Sequence, residues 1–121
     1  MKLGFIGTGK IASSVITGIC SSKIKYKQIL ISSRNTKISS NLKKRFKRIT
    51  ISKSNQKIID QSEWIFLSVT PEVGKKIIRN LNFNSNKIII SFISSLTIPQ
   101  LKKMIKQKVK SVRAIPLPPI S

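Results

Sequence analysis

Six residues near the start of the chain, Gly7-Thr8-Gly9-Lys10-Ile11-Ala12, have the types and spacing G-x-G-x-x-A. Each small residue in that pattern has a use beside a phosphate. Gly7 permits a tight turn, Gly9 lets the backbone approach a pyrophosphate, and Ala12 lets a helix pack close to a strand. A helix starting here would offer free N–H groups and a partial positive charge to the phosphates. The same pattern also occurs in turns that hold no ligand, so its flanks decide its meaning. Residues 2–6 read as a strand and Ile11 onward as a helix, which is the setting a dinucleotide turn requires.

The end of the second strand sets the cofactor. NAD sites carry an acid there to bond the ribose 2′-hydroxyl. This chain has Ser32-Ser33-Arg34-Asn35 instead, and no acid before Asp60. Ser33 and Asn35 can donate hydrogen bonds, and Arg34 can pair with a 2′-phosphate. The expected cofactor is therefore NADP(H), preferred over NAD(H).

These groups need a scaffold, and the apolar pattern supplies one. Short runs rich in Ile and Val at 3–6, 29–32, 49–51, 65–69, 88–93 and 112–115 read as strands. Several lack strict alternation, as parallel strands covered on both faces do. Amphipathic segments lie between them. Ile11, Val15, Ile16 and Ile19 form one helical stripe, and Ile38, Leu42 and Phe46 another. Ile58 and Ile59 suit a short helix after Asn55. Val73, Ile77, Ile78 and Leu81 make a fourth, and Ile98, Leu101, Ile105 and Val109 a fifth. Strand alternating with helix predicts an α/β chain: a Rossmann-type doubly wound parallel sheet in three αβα layers. Residues 1–115 are expected to form this NAD(P)-binding domain. Residues 116–121 are a proline-rich turn that stops regular structure, and the chain is expected to be a domain cut from something longer.

Composition narrows the functional classes. The chain has 121 residues, enough for one domain. It has one cysteine and no histidine, so no metal site or Ser-His triad is expected. Cys20 falls in an apolar helical pattern and reads as a structural thiol. No apolar run reaches the roughly 20 residues of a membrane span, and a cytoplasmic location is the default. The balance of 24 Lys plus Arg against 3 acids gives a net charge of +21. Such a surface attracts polyanions. The lysines are spread along the whole chain, however, and aromatics are only 6%. A solvated basic surface is the favoured reading, and a nucleic-acid-binding module the disfavoured one.

Five stretches in order then point further: GFIGTGKIA, ISSRN, FLSVTPE, IIISFISSLTIPQL and VRAIPLPP. Together they resemble the N-terminal domain of pyrroline-5-carboxylate reductases along essentially the whole chain. The resemblance implies a Rossmann domain followed by a helical domain that forms the dimer and much of the substrate pocket. It implies reduction of a cyclic imine to proline with NAD(P)H, with a small imine or carbonyl as substrate. A non-catalytic or truncated dinucleotide-binding relative is the alternative. The resemblance assigns Gly7, Thr8, Gly9, Lys10 and Ile11 to the pyrophosphate loop. Ser33, Arg34 and Asn35 go to the adenine ribose and its 2′-phosphate, and Asn55 to the adenosine end. Val69, Thr70 and Pro71 match a Val-Lys-Pro beside the cofactor, and Ile115, Pro116, Leu117, Pro118 and Pro119 match a Met-Pro-Asn-x-Pro turn near the nicotinamide and substrate. Thr70, Ser91 and that proline turn are the residues expected to line the nicotinamide end. Thr70 stands where the family has Lys, Leu117 where it has Asn, and Ser94-Ser95 where it has Ala-Gly. No residue of this chain is assigned a catalytic proton transfer, and a homo-oligomer is expected only through the helical domain.

Overall fold

The structure, a computed structural model, describes residues 1–7, 9–33, 36–83, 86–93, 96–105 and 109–113. Its elements run β1 Lys2–Ile6, α1 Lys10–Cys20, β2 Gln28–Ser32, α2 Thr36–Arg45, β3 Ile49–Ser52 and α3 Asn55–Gln61. They continue as β4 Trp64–Leu67, α4 Pro71–Ile78, β5 Ile88–Ser91, α5 Ile98–Met104 and β6 Lys110–Arg113. The strands pair in the order β3-β2-β1-β4-β5-β6, all parallel. This is the expected doubly wound sheet. Its order reverses between β1 and β4, which makes the crevice above those two strands the topological switch point.

The strands are buried on both faces. On one face Leu3, Phe5, Ile29, Ile31, Ile49 and Phe66 meet Ala12 and Ile16 of α1 and Leu42 of α2. On the other, Ile6, Leu30, Ile65, Leu67 and Ile89 meet Ile58 and Ile59 of α3, Ile78 of α4, and Leu101 and Met104 of α5. Lysines solvate the outside: Lys43, Lys44, Lys75, Lys76, Lys102 and Lys103 are all exposed. Arg45 lies over the Phe46 ring and Arg48 over the Tyr26 ring, so part of the charge also packs. Cys20 is half-buried, and its sulfur accepts the Tyr26 hydroxyl at 3.2 Å.

Close packing on the second face depends on Gly4. A Cβ built there would lie 2.5 Å from Ser62 Oγ and 2.6 Å from Ile58 Cγ2. The missing side chain in mid-β1 is what lets α3 and the turn after it sit against the sheet. The strand starts are tied at the opposite edge from the switch point. The Glu63 carboxylate accepts the Lys2 backbone N–H at 2.8 Å, which holds that carboxyl below its ordinary range.

Four boundaries differ from expectation. β4 ends at Leu67 and β5 at Ser91, two residues before their apolar runs end. The overrun residues Val69 and Ile93 leave the ladder but stay packed, while Phe92 keeps one backbone bond to Leu67. α5 ends at Met104, because Ile105 turns to extended backbone (φ −87°, ψ 114°), and Val109 precedes β6. β6 begins at Lys110 and not Val112. An edge position tolerates its polar start, and residues 114 and 115 lie outside the described residues.

Gly4→Ala should destabilise the fold by about 1–3 kcal/mol through overpacking against Ile58 and Ser62. Urea unfolding followed by circular dichroism would measure it. An unchanged midpoint would show that α3 is free to shift.

Candidate dinucleotide cleft

The glycine turn is set by three contacts. Gly7 has a φ of +95°, a region that side-chain-bearing residues avoid. A Cβ there would fall 2.2 Å from the Ser68 carbonyl oxygen and 2.7 Å from Val69 Cγ1. The Gly7 N–H donates to Ser32 Oγ at 3.0 Å, so the turn is pinned to the end of β2 as well as to the segment after β4. The chain then enters α1 through Gly9, whose backbone is extended. A Cβ on Gly9 would meet nothing within 4 Å. The protein itself does not need glycine at this position. The space it leaves open faces outward.

Helix capping points to the same place. Ser54, Thr70 and Thr97 cap α3, α4 and α5 with their side chains. α1 has Gly9 as its N-cap and no side-chain cap, and its first turn carries no acid. Its leading N–H groups are thus left to an outside acceptor. They border a cleft of about 360 Å³ lined by Gly9, Lys10, Ile11, Ser68, Val69, Thr70, Pro71, Phe92 and Ile93. That volume lies within the roughly 300–1,000 Å³ of small-molecule sites. The N-terminus of α4 enters the same cleft, so two helix starts converge on it. Thr70 Oγ1 accepts the Val73 N–H at 3.4 Å as the α4 cap, while its own hydroxyl proton stays available to donate.

Six of the expected site residues therefore come together: Gly9, Lys10, Ile11, Val69, Thr70 and Pro71. Gly7 is buried beneath them. Ser33, half-buried, follows β2, and Asn55, half-buried, opens α3 just past β3. Both stand at the carboxyl edge of the sheet, and neither lines the cleft. Thr8, Arg34, Asn35, Ser94, Ser95 and the turn at 116–119 lie outside the described residues. Ser91 does not line the cleft: it is buried, and its Oγ accepts the Ile93 N–H at 3.2 Å. Ile11 belongs to the cleft and not to the buried stripe of α1, being 43% exposed, while Ala12 beside it is fully buried. Sequence reasoning passed over Ser32, Ser68, Phe92 and Ile93. The available signal was the apolar overrun of β4 and β5, which marks chain leaving the sheet while still packed.

Among the described residues no helix is long and apolar enough to cross a membrane. None of their His, Cys, Asp or Glu residues form a group of three or more that could hold a metal ion.

A doubly wound sheet with an uncapped glycine-turn helix opening at its switch point is a dinucleotide-binding domain of the NAD(P) type. The chain belongs to the family described as NADP oxidoreductase coenzyme F420-dependent, whose model matches residues 2–95. It is 31% identical to pyrroline-5-carboxylate reductase 3 of Danio rerio, over 96% of this chain and 41% of that protein. It superposes with a TM-score of 0.79 on the Plasmodium falciparum pyrroline carboxylate reductase solved with NADP bound. Identity there is 25%, covering 96% of this chain and 42% of that one. A pyrroline-5-carboxylate reductase from Coxiella burnetii shares the fold with a TM-score of 0.81 at 18% identity, over 92% of this chain and 42% of that one. The chain thus spans about two-fifths of the length of the relatives it matches.

The two glycines should separate by substitution. Gly7→Ala should lower both stability and nucleotide affinity, since the φ and the Ser68 contact forbid it. Gly9→Ala should change stability by no more than about 1 kcal/mol and weaken nucleotide binding at least about tenfold, the cost of one lost phosphate contact. Thermal melts and nucleotide titrations of both variants check this. Intact binding by Gly9→Ala would contradict a phosphate at that turn.

Proposed function

We propose that this chain is the cofactor-binding part of an NADPH-dependent reductase acting on a cyclic imine, in the manner of the pyrroline-5-carboxylate reductases it resembles. The observation that carries the reading is the cleft at the switch point, where the uncapped start of α1 meets the ends of β4 and β5.

The residues present fit such a cofactor. Free N–H groups at Gly9, Lys10 and Ile11 suit a pyrophosphate, and the open space above Gly9 gives it room. The Lys10 side chain adds positive charge on the same lip. Across the switch point Ser33, followed in sequence by Arg34, suits the adenine ribose and a 2′-phosphate. Val69, Phe92 and Ile93 give the β4–β5 side of the cleft an apolar wall that keeps water from a nicotinamide. When bound, NADPH supplies the hydride. This chain's part is to bind and orient: α1 fixes the phosphates, the apolar wall fixes the ring plane, and the Thr70 hydroxyl can donate to a ribose or carboxamide oxygen. No proton transfer is assigned to a residue of this chain.

A second reading, a dinucleotide-binding protein without catalysis, is favoured by one observation. Thr70 stands at the family's Lys position and uses its hydroxyl oxygen to cap α4. Supplying 1-pyrroline-5-carboxylate with NADPH and following proline formation separates the two.

Fluorescence titration should show NADPH binding more tightly than NADH. Arg34→Asp should weaken NADPH at least about tenfold, the worth of a charge-assisted bond, and spare or improve NADH. Equal losses for both would remove Arg34 from the 2′-phosphate site. Failure of both to bind below millimolar concentration would remove the cofactor reading.

A further inference from the structure

Three phenylalanines form a row that ends at the cleft. Phe5 of β1 and Phe66 of β4 are register partners, and their rings stack with centroids 4.4 Å apart and planes 5° apart. Phe92, just past β5, continues the row at 5.9 Å and 21° from Phe66. Its backbone is pinned too, because the Phe92 N–H donates to the Leu67 carbonyl at 2.9 Å. The three differ in burial. Phe5 is fully buried and Phe66 is 7% exposed, but Phe92 is only half-buried and borders the cleft.

A core explanation covers Phe5 and Phe66. Phe92 packs against the same cluster and its N–H makes the last backbone bond to β4, yet it also borders the cleft, which core packing alone does not require. Around it the cleft is apolar on the β4–β5 side, with Val69 and Ile93. The polar groups sit at the helix starts. In a doubly wound sheet the two mononucleotides of a dinucleotide lie on opposite sides of the switch point. With the adenosine ribose at the end of β2, the β4–β5 side receives the other base.

We infer that Phe92 is the residue against which the nicotinamide ring packs, and that the Phe5–Phe66 stack holds its ring in place for that contact. This rests on the dinucleotide reading above and adds to it a specificity-determining residue. The ligand chemistry is a planar, weakly polar heteroaromatic ring. Offset or edge contact with a fixed phenyl ring suits it, and such a contact is worth about tenfold in affinity. Stacking on an anchored ring also carries a smaller ordering cost than closing a flexible side chain over the ligand.

The test uses two ligands that differ at the relevant end. NADPH carries the nicotinamide, and 2′-phospho-ADP-ribose lacks it while keeping the phosphates and adenosine. Dissociation constants would be measured by calorimetry for the full chain and for Phe92→Leu, Phe92→Ala and Phe92→Tyr, each checked by thermal melting. Phe92→Leu and Phe92→Ala should weaken NADPH about tenfold and leave 2′-phospho-ADP-ribose within about twofold. Phe92→Tyr, which keeps the aromatic face, should retain NADPH binding. Equal losses for both ligands would make Phe92 a structural residue only and overturn the inference, as would unchanged NADPH binding in Phe92→Leu. If the unsubstituted chain binds neither ligand, the dinucleotide reading fails and this inference with it. If it binds both and the variants do not distinguish them, only the inference fails.

Discussion

The site depends on one steric fact: Gly7 is pressed against the Ser68 carbonyl at a φ only glycine adopts comfortably. β1 and β4 are neighbours in the sheet, yet the helices that follow them depart to opposite faces. The two chains must therefore part over a very short distance. At Gly7 they part with no room for a side chain. Ser32 secures the turn from the other flank by taking the Gly7 N–H. Once the turn is fixed, α1 must start where it does, and its uncapped N–H groups open onto the crevice.

The rest of the fold serves to hold that crevice in shape. Strands with apolar side chains on both faces let helices cover the sheet on each side, and each face has its own cluster of buried side chains. Gly4 brings α3 close on one side, while Ala12 brings α1 close on the other. Gly74 does similar work in α4, where a Cβ would sit 3.0 Å from Ile93 Cδ1. Three small residues thus set how near the helices approach. The cleft wall made by Val69, Ile93 and Phe92 inherits its position from them. The outer lysines take little part in this geometry, and the high net charge is compatible with an ordinary buried core.

Much of this could be read from the chain because the signals are local. A strand, G-x-G-x-x-A and a helical stripe lie within about twenty consecutive residues, and alternating runs imply a parallel sheet by handedness alone. What escaped was long-range or rotational. The stripe of α1 fits Ile11 or Ala12 equally well, since one residue is about 100° of helix. Only packing shows that Ala12 turns inward and Ile11 outward. The closeness of Ser62 to Gly4, and of Ser32 to Gly7, joins residues 58 and 25 positions apart, which no window contains. The runs at 65–69 and 88–93 read as strand throughout because apolar residues serve equally in a ladder or a cleft wall. The apolar spacing of α5 continues past its end at Met104 for a related reason, since the chain has to turn there to reach β6.

The basic surface gives any anion some attraction, so the location of binding matters more than its occurrence. Backbone amide NMR of the full chain during NADPH titration would locate it. The cleft assignment predicts that the largest saturable shifts fall on Gly9, Lys10, Ile11, Val69, Thr70, Phe92 and Ile93. Shifts spread over exposed lysine-bearing segments such as α2 and residues 21–27, with those amides unmoved, would contradict it.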